Sequence, residues 1–88
     1  MRIPKSFALA GTRWTVEETA AISEMGHCCN ETATIRLRKD LSAQVKAATF
    51  CHELVHAIFY TRGKDEHSEE EVDAMGNLLH QFLTQFGK

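Results

Sequence analysis

The chain has no apolar run approaching the roughly eighteen residues needed to cross a bilayer, and its opening stretch, MRIPKSFALAGTRW, lacks the apolar core of a secretory leader. Both absences predict a protein that stays in the cytoplasm and makes no use of a membrane. Cysteine is scarce and poorly spaced for cross-linking. Cys28, Cys29 and Cys51 form an odd set without any C-x-x-C, which argues against a disulfide framework. Neighbours in a strand point to opposite faces, so Cys28 and Cys29 are poor candidates to share one metal and are expected to be packing positions. No basic stripe stands out either. Residues 1–50 carry seven Lys and Arg against five Asp and Glu, residues 51–88 carry three against seven, and the net charge is −2. A nucleic-acid partner therefore receives no electrostatic support. Repeats, low-complexity tracts and linkers are also missing.

What remains is 88 residues of ordinary globular composition, 43% hydrophobic and 25% charged, expected to form one domain over 1–88 with a modest stability margin. Two short runs, Ser6 to Leu9 and Arg13 to Val16, flank Gly11 and read as a hairpin. Glu17 to Met25 reads as a continuing strand or a connecting loop. A second hairpin follows, with His27 to Cys29 and Thr34 to Arg38 around Asn30-Glu31, and alternation puts Ile35 and Leu37 on the core face. Ser42 is an expected N-cap for a long helix from about Ala43 to Arg62, with Gly63 just beyond its end. The capping box Ser68-Glu69-Glu70-Glu71 opens a second helix. Its stripe of Val72, Met75, Leu79, Phe82, Leu83 and Phe86 is expected to pack on the core. The fold class is α+β, a small N-terminal sheet of hairpins packed on a long helix and followed by a second one.

The long helix carries the chemistry. Within it His52-Glu53-Leu54-Val55-His56 is an H-E-x-x-H sequence, and residues four apart share one face of a helix. His52 and His56 can therefore aim two imidazole nitrogens at one zinc ion. Glu53 is rotated by about 100° out of that ligand pair, where its carboxylate can act as general base on a water at the open position. By this chain's composition the pattern arises by chance roughly 0.03 times. Its surroundings strengthen it. From Val45 to Tyr60 apolar residues cover most of the circumference, and Thr49, His52, Glu53 and His56 form the polar stripe. A helix apolar nearly all round is buried, and ionisable groups on it must be bonded, metal-bound or open to a cleft.

A catalytic zinc normally takes three protein ligands. Candidates for the third are His67, His80, Asp65, Glu66, Glu69, Glu70, Glu71 and Asp73. The metzincin extension is absent, since the positions for its Gly and His are Phe59 and Arg62. His80 lies eleven residues past Glu69, about 16 Å along a helix, and is too far away. Glu69 is preferred because it lies within about 40° of Asp73 on the border of the apolar stripe, while Glu70 and Glu71 turn to solvent or the cap. Asp73 is placed to accept the other N–H of a ligand histidine. Gly76, on the same border, would let the two helices approach closely. His67 and Tyr60 are candidates for contacting substrate or stabilising an oxyanion, against the plainer readings of a loop histidine and a core tyrosine.

HELVHAIFY, the later EEEVDAMGNLLHQF and the opening IPKSF together resemble the small ImmA/IrrE-type zinc metallopeptidases often found in phages and other mobile elements. The likeness runs from about Ile3 to Phe86, and HExxH with a downstream E-x-x-x-D also resembles the gluzincin pattern. It implies a minimal zincin-like domain, zinc as cofactor, and a third-ligand glutamate on the helix after the HExxH helix. The expected activity is hydrolysis of peptide bonds in a protein or peptide substrate. A zinc-binding interaction or accessory module without useful turnover is the alternative.

Overall fold

The computed structural model describes residues 1–63 and 66–86. The chain forms strands β1 (Ser6–Leu9), β2 (Thr12–Thr19), β3 (Gly26–Cys29) and β4 (Thr34–Arg38), then helices α1 (Ala43–Thr61) and α2 (Glu69–Thr84). This is the expected α+β order. Ala10 and Gly11 both take positive φ, 48° and 84°, which is the two-residue type I′ geometry whose twist suits a hairpin. β1 pairs antiparallel with β2 through Leu9 opposite Thr12, and β3 pairs antiparallel with β4 through Cys29 opposite Thr34.

The two hairpins join differently from their formation. β2 runs parallel to β4 with Thr15 to Thr19 opposite Thr34 to Arg38, so the strand order is β1-β2-β4-β3. Strand β2 extends past Val16 to Thr19 because its far half has β4 to bond to. The consequence for function is that β3 is an edge strand.

Helix α1 lies between the sheet and α2. On one side Phe50, Cys51 and Ala57 pack with Trp14, Ile35 and Leu37, as the strand alternation requires, and on the other Val55 and Phe59 pack with Val72. This double burial explains why α1 is apolar nearly all round. Its start is capped by Ser42, whose Oγ accepts from the Val45 N–H at 3.3 Å, and at its end Gly63 takes φ 81° and donates its N–H to the Tyr60 carbonyl at 3.0 Å. Helix α2 is capped by Ser68, whose Oγ accepts from the Glu71 N–H at 3.3 Å.

The α2 stripe is only partly buried, which corrects the sequence expectation. Val72 is buried and Leu79 and Leu83 are half-buried against the core, but Met75, Phe82 and Phe86 face outward. A single neighbouring helix covers less than the arc that these apolar residues span. Among the described residues no helix is long and apolar enough to cross a membrane.

Ala10 holds a left-handed backbone that an L-residue with a plain methyl side chain disfavours. Ala10→Asn is expected to stabilise the domain by about 0.5–1 kcal/mol, since asparagine tolerates that region better. Urea unfolding reads this, and a lowered midpoint would refute the strain at the turn.

Candidate metal centre

Four side chains on two helices meet where α1 and α2 come closest. A Cβ added at Gly76 would lie 3.0 Å from the His52 Cα and 3.3 Å from its backbone nitrogen. The missing side chain lets α2 press against the backbone of α1, as its position on the stripe border suggested. Glu69 and Asp73, seven and three residues earlier on α2, consequently both reach His52.

The carboxylate of Glu69 faces both histidines: its Oε1 is 3.1 Å from His52 Nε2 and its Oε2 is 3.2 Å from His56 Nε2. One ligand atom from each of the three residues lies within 4.8 Å of the others. Ligands held tetrahedrally at 2.0–2.1 Å from one ion are roughly 3.3–3.4 Å apart. The donor set, two imidazoles and a carboxylate, thus fits zinc in kind and in spacing.

Hydrogen-bond counting supports a cation here. His52 Nδ1 lies 3.0 Å from Asp73 Oδ1 while its Nε2 faces Glu69, yet a neutral imidazole has a single N–H. With that hydrogen on Asp73, Nε2 presents a lone pair to a carboxylate oxygen. A second proton or a metal ion has to lie there. His56 is favoured in its neutral, ligating form because burial lowers its pKa, although Glu69 opposes this.

Glu53 sits apart from the ligands, as its place in the helix requires. It is 7% exposed, and burial pushes its carboxyl up to about 7, with His52 opposing and the charges of Glu69 and Glu24 adding to the rise. Two cavities of about 380 Å³ each meet at Gly26, His52 and Glu53. One has an apolar side formed by Met25, Val45 and Ala48, and the other extends over His27, Cys28, His56, Tyr60 and Glu69. The edge strand β3 therefore forms one wall of an open groove over the site.

The remaining candidates separate. His67 Nε2 is 2.7 Å from His56 Nδ1, which places it behind a ligand histidine and not in front of the open position. The sequence offers it as a contact for substrate or oxyanion; the contact seen is with His56. Tyr60 lines the groove and its ring stacks near His56, with centroids 6.5 Å apart. His80 is not among the clustered ligands, and its half-buried ring has an Nε2 with no hydrogen-bond partner among the described residues. Asp65 lies outside the described residues. Glu70 and Glu71 are exposed on the first turn of α2.

Sequence reasoning missed Gly26 and Cys28 as groove residues. Cys28 shares the core-facing side with its partner Ile35, and its thiol is pushed up to about 12 by burial first and then by the charge of Glu53. The expectation that it packs holds in part, since it also forms groove wall. Compared with known protein families, curated proteins and solved structures, the chain shows no match. The geometry nonetheless has the general form of a zinc metallopeptidase site, with an H-E-x-x-H helix and a third carboxylate from the next helix.

Gly76→Ala gains about 1 kcal/mol of helix propensity but forces a methyl against the His52 backbone, and overpacking of this kind costs about 1–3 kcal/mol. A net loss of stability is expected, together with weaker zinc binding as Glu69 and Asp73 are pushed away. Retained zinc affinity with a higher melting temperature would show that the close approach is dispensable.

Burial of Glu53 has its own signature in metal-free protein. Between its ordinary value of 4.5 and about 7, the folded chain holds a proton that the unfolded chain has released, so stability falls as pH rises through that window. The loss is on the order of 3 kcal/mol at most. Glu53→Gln should lack this slope, so chelated variant and wild type should diverge between pH 5 and pH 8. Parallel pH profiles would place Glu53 in water-like surroundings.

Proposed function

We propose that the chain is a zinc-dependent metallopeptidase, with His52, His56 and Glu69 as ligands, Glu53 as general base and Asp73 orienting His52. The observation that carries this reading is the convergence of both histidine Nε2 atoms on one carboxylate beside a buried glutamate. Zinc, when bound, supplies a Lewis acid that polarises the peptide carbonyl and makes water easier to deprotonate. Everything else belongs to the chain. Glu53 takes the proton of the attacking water and passes it to the leaving amine, roles that suit a carboxyl poised near neutral pH. Asp73 accepts the Nδ1–H of His52, which leaves Nε2 free to ligate. The groove between β3 and the two helices receives the peptide, and Tyr60 on its wall is the candidate contact for the carbonyl oxygen.

Within the zinc metallopeptidases, the ImmA/IrrE-type proteins are the proposed kin. Supporting this is the pairing of HELVH with Glu69 and Asp73 on the following helix, where both carboxylates meet His52. A second reading, a zinc-binding module without turnover, is favoured by one observation. His67, a candidate for stabilising the oxyanion, is engaged with His56.

Elemental analysis and peptide hydrolysis test the proposal together. Wild type should hold about one zinc per chain and cleave members of a peptide library, whereas Glu53→Gln should keep the metal and lose at least about 100-fold in rate. Glu69→Ala should lose most zinc affinity and Glu70→Ala almost none. Zinc uptake without cleavage of any peptide would favour the accessory module. Absence of zinc after incubation with it would defeat both readings.

A further inference from the structure

We propose that His67 is a positioning residue for the zinc site: it accepts the Nδ1–H of His56 and so holds that ring in the tautomer whose Nε2 lone pair faces the metal. This rests on the reading of His52, His56 and Glu69 as ligands. A neutral imidazole that ligates through Nε2 must carry its one proton on Nδ1. That N–H then needs an acceptor, and the side chain of His56 is only 14% exposed, which limits what water can provide. His67 Nε2, at 2.7 Å, is the acceptor within reach.

The ring of His67 is itself fixed in place. It stacks on Phe59 with centroids 4.9 Å apart and planes 20° apart, and it meets Tyr60 edge-on at 5.2 Å. Phe59 is buried and Tyr60 half-buried on the last turns of α1, so this ring ties His67 to the helix that carries His52 and His56.

The two ligand histidines are consequently supported in different ways. Asp73, as a carboxylate, can only accept from His52. An imidazole can accept or donate, so the His56–His67 bond suits two states. Without metal, His67 Nε2–H donates to His56 Nδ1 while His56 Nε2–H donates to Glu69. With metal, His56 Nδ1–H donates to His67 Nε2, whose own hydrogen is then on Nδ1. The pair holds two protons in either state: one is given up at His56 Nε2, one is taken up at His67 Nδ1, and solvent carries the exchange. Neither ring has to move.

Three proteins test this: wild type, His67→Phe and His67→Gln. Phenylalanine keeps a ring to stack on Phe59 and Tyr60 but cannot accept, while the glutamine amide reaches to about the same place and can. In zinc titrations against a competing chelator, His67→Phe should bind about 10–100-fold more weakly, as expected for loss of a partner behind a ligand histidine, and His67→Gln within about threefold of wild type. Melting of the chelated His67→Phe protein should match wild type, which separates positioning from packing. Nitrogen NMR of zinc-loaded wild type should show the His56 proton on Nδ1, a readout that needs no variant to fold. Wild-type affinity in His67→Phe, equal weakening in both variants, or a His56 proton on Nε2 in the loaded protein would each overturn the proposal. Wild type that takes up no zinc would instead defeat the metal site on which it rests, a failure visible before any variant is made.

Discussion

Helix α1 carries His52, Glu53 and His56 through the middle of the molecule, and their chemistry depends on how closely α2 approaches its backbone. At Gly76 a methyl group would press on the His52 Cα at 3.0 Å. An ordinary interaxial separation of 8–10 Å leaves room for side chains between two helices; here the contact is backbone against backbone on one side. That approach is what lets short carboxylate side chains on α2 reach a histidine of α1 from both ends. Elsewhere along the pair, Val55, Phe59 and Val72 fill the space, so apolar packing holds the helices together while the glycine sets their spacing at the site.

The resulting polar cluster is not a stability device in its own right. The side chains of Glu69 and Asp73 are 69% and 67% exposed, and exposed ion pairs contribute roughly 0–1 kcal/mol each. Burial of Glu53 works against folding above neutral pH. In a domain this small, with a limited core, such an arrangement is tolerable if something bound to the folded state offsets it. A cation among His52, His56 and Glu69 would stabilise the fold by its binding free energy and would also favour the ionised form of Glu53. Binding of a cation there and ionisation of Glu53 would therefore be coupled energetically as well as in space.

Local signals were the legible part of this chain. Ser42 and Ser68 as caps, Gly63 at the end of α1, the alternation of Ile35 and Leu37, and the facing of His52 against His56 each follow from a few neighbouring residues, and each is found. The choice of Glu69 and Asp73 over Glu70 and Glu71 was legible for the same reason, since a helical angle decides it. Pairing between distant segments was not. Nothing in the alternation of β2 or β4 says that they run parallel to each other, because either neighbour would bury the same faces. The α2 stripe misled because periodicity reports which side is apolar but not how wide a partner covers it. His67 was recognisable as a candidate but not in its place, as its position depends on ring contacts with Phe59 and Tyr60 that no local pattern reports.

On the strand side of the site the same constraint recurs with a different result. Gly26 begins the edge strand β3, and a Cβ there would fall 2.5 Å from Thr49 Cγ2 and 3.1 Å from both Cγ and Oε2 of Glu53. Backbone thus covers the Glu53 carboxyl where a side chain would displace it. This cover accounts for the near-complete burial of Glu53 while the side chains of His52 and His56 keep 27% and 14% exposure beside it, and burial is the largest cause of its raised pKa. Two glycines on opposite flanks of α1 therefore divide the work. Gly76 admits the carboxylates that meet His52, and Gly26 excludes water from the Glu53 carboxyl, so His52 and Glu53 acquire distinct surroundings through backbone approach although they are neighbours in sequence.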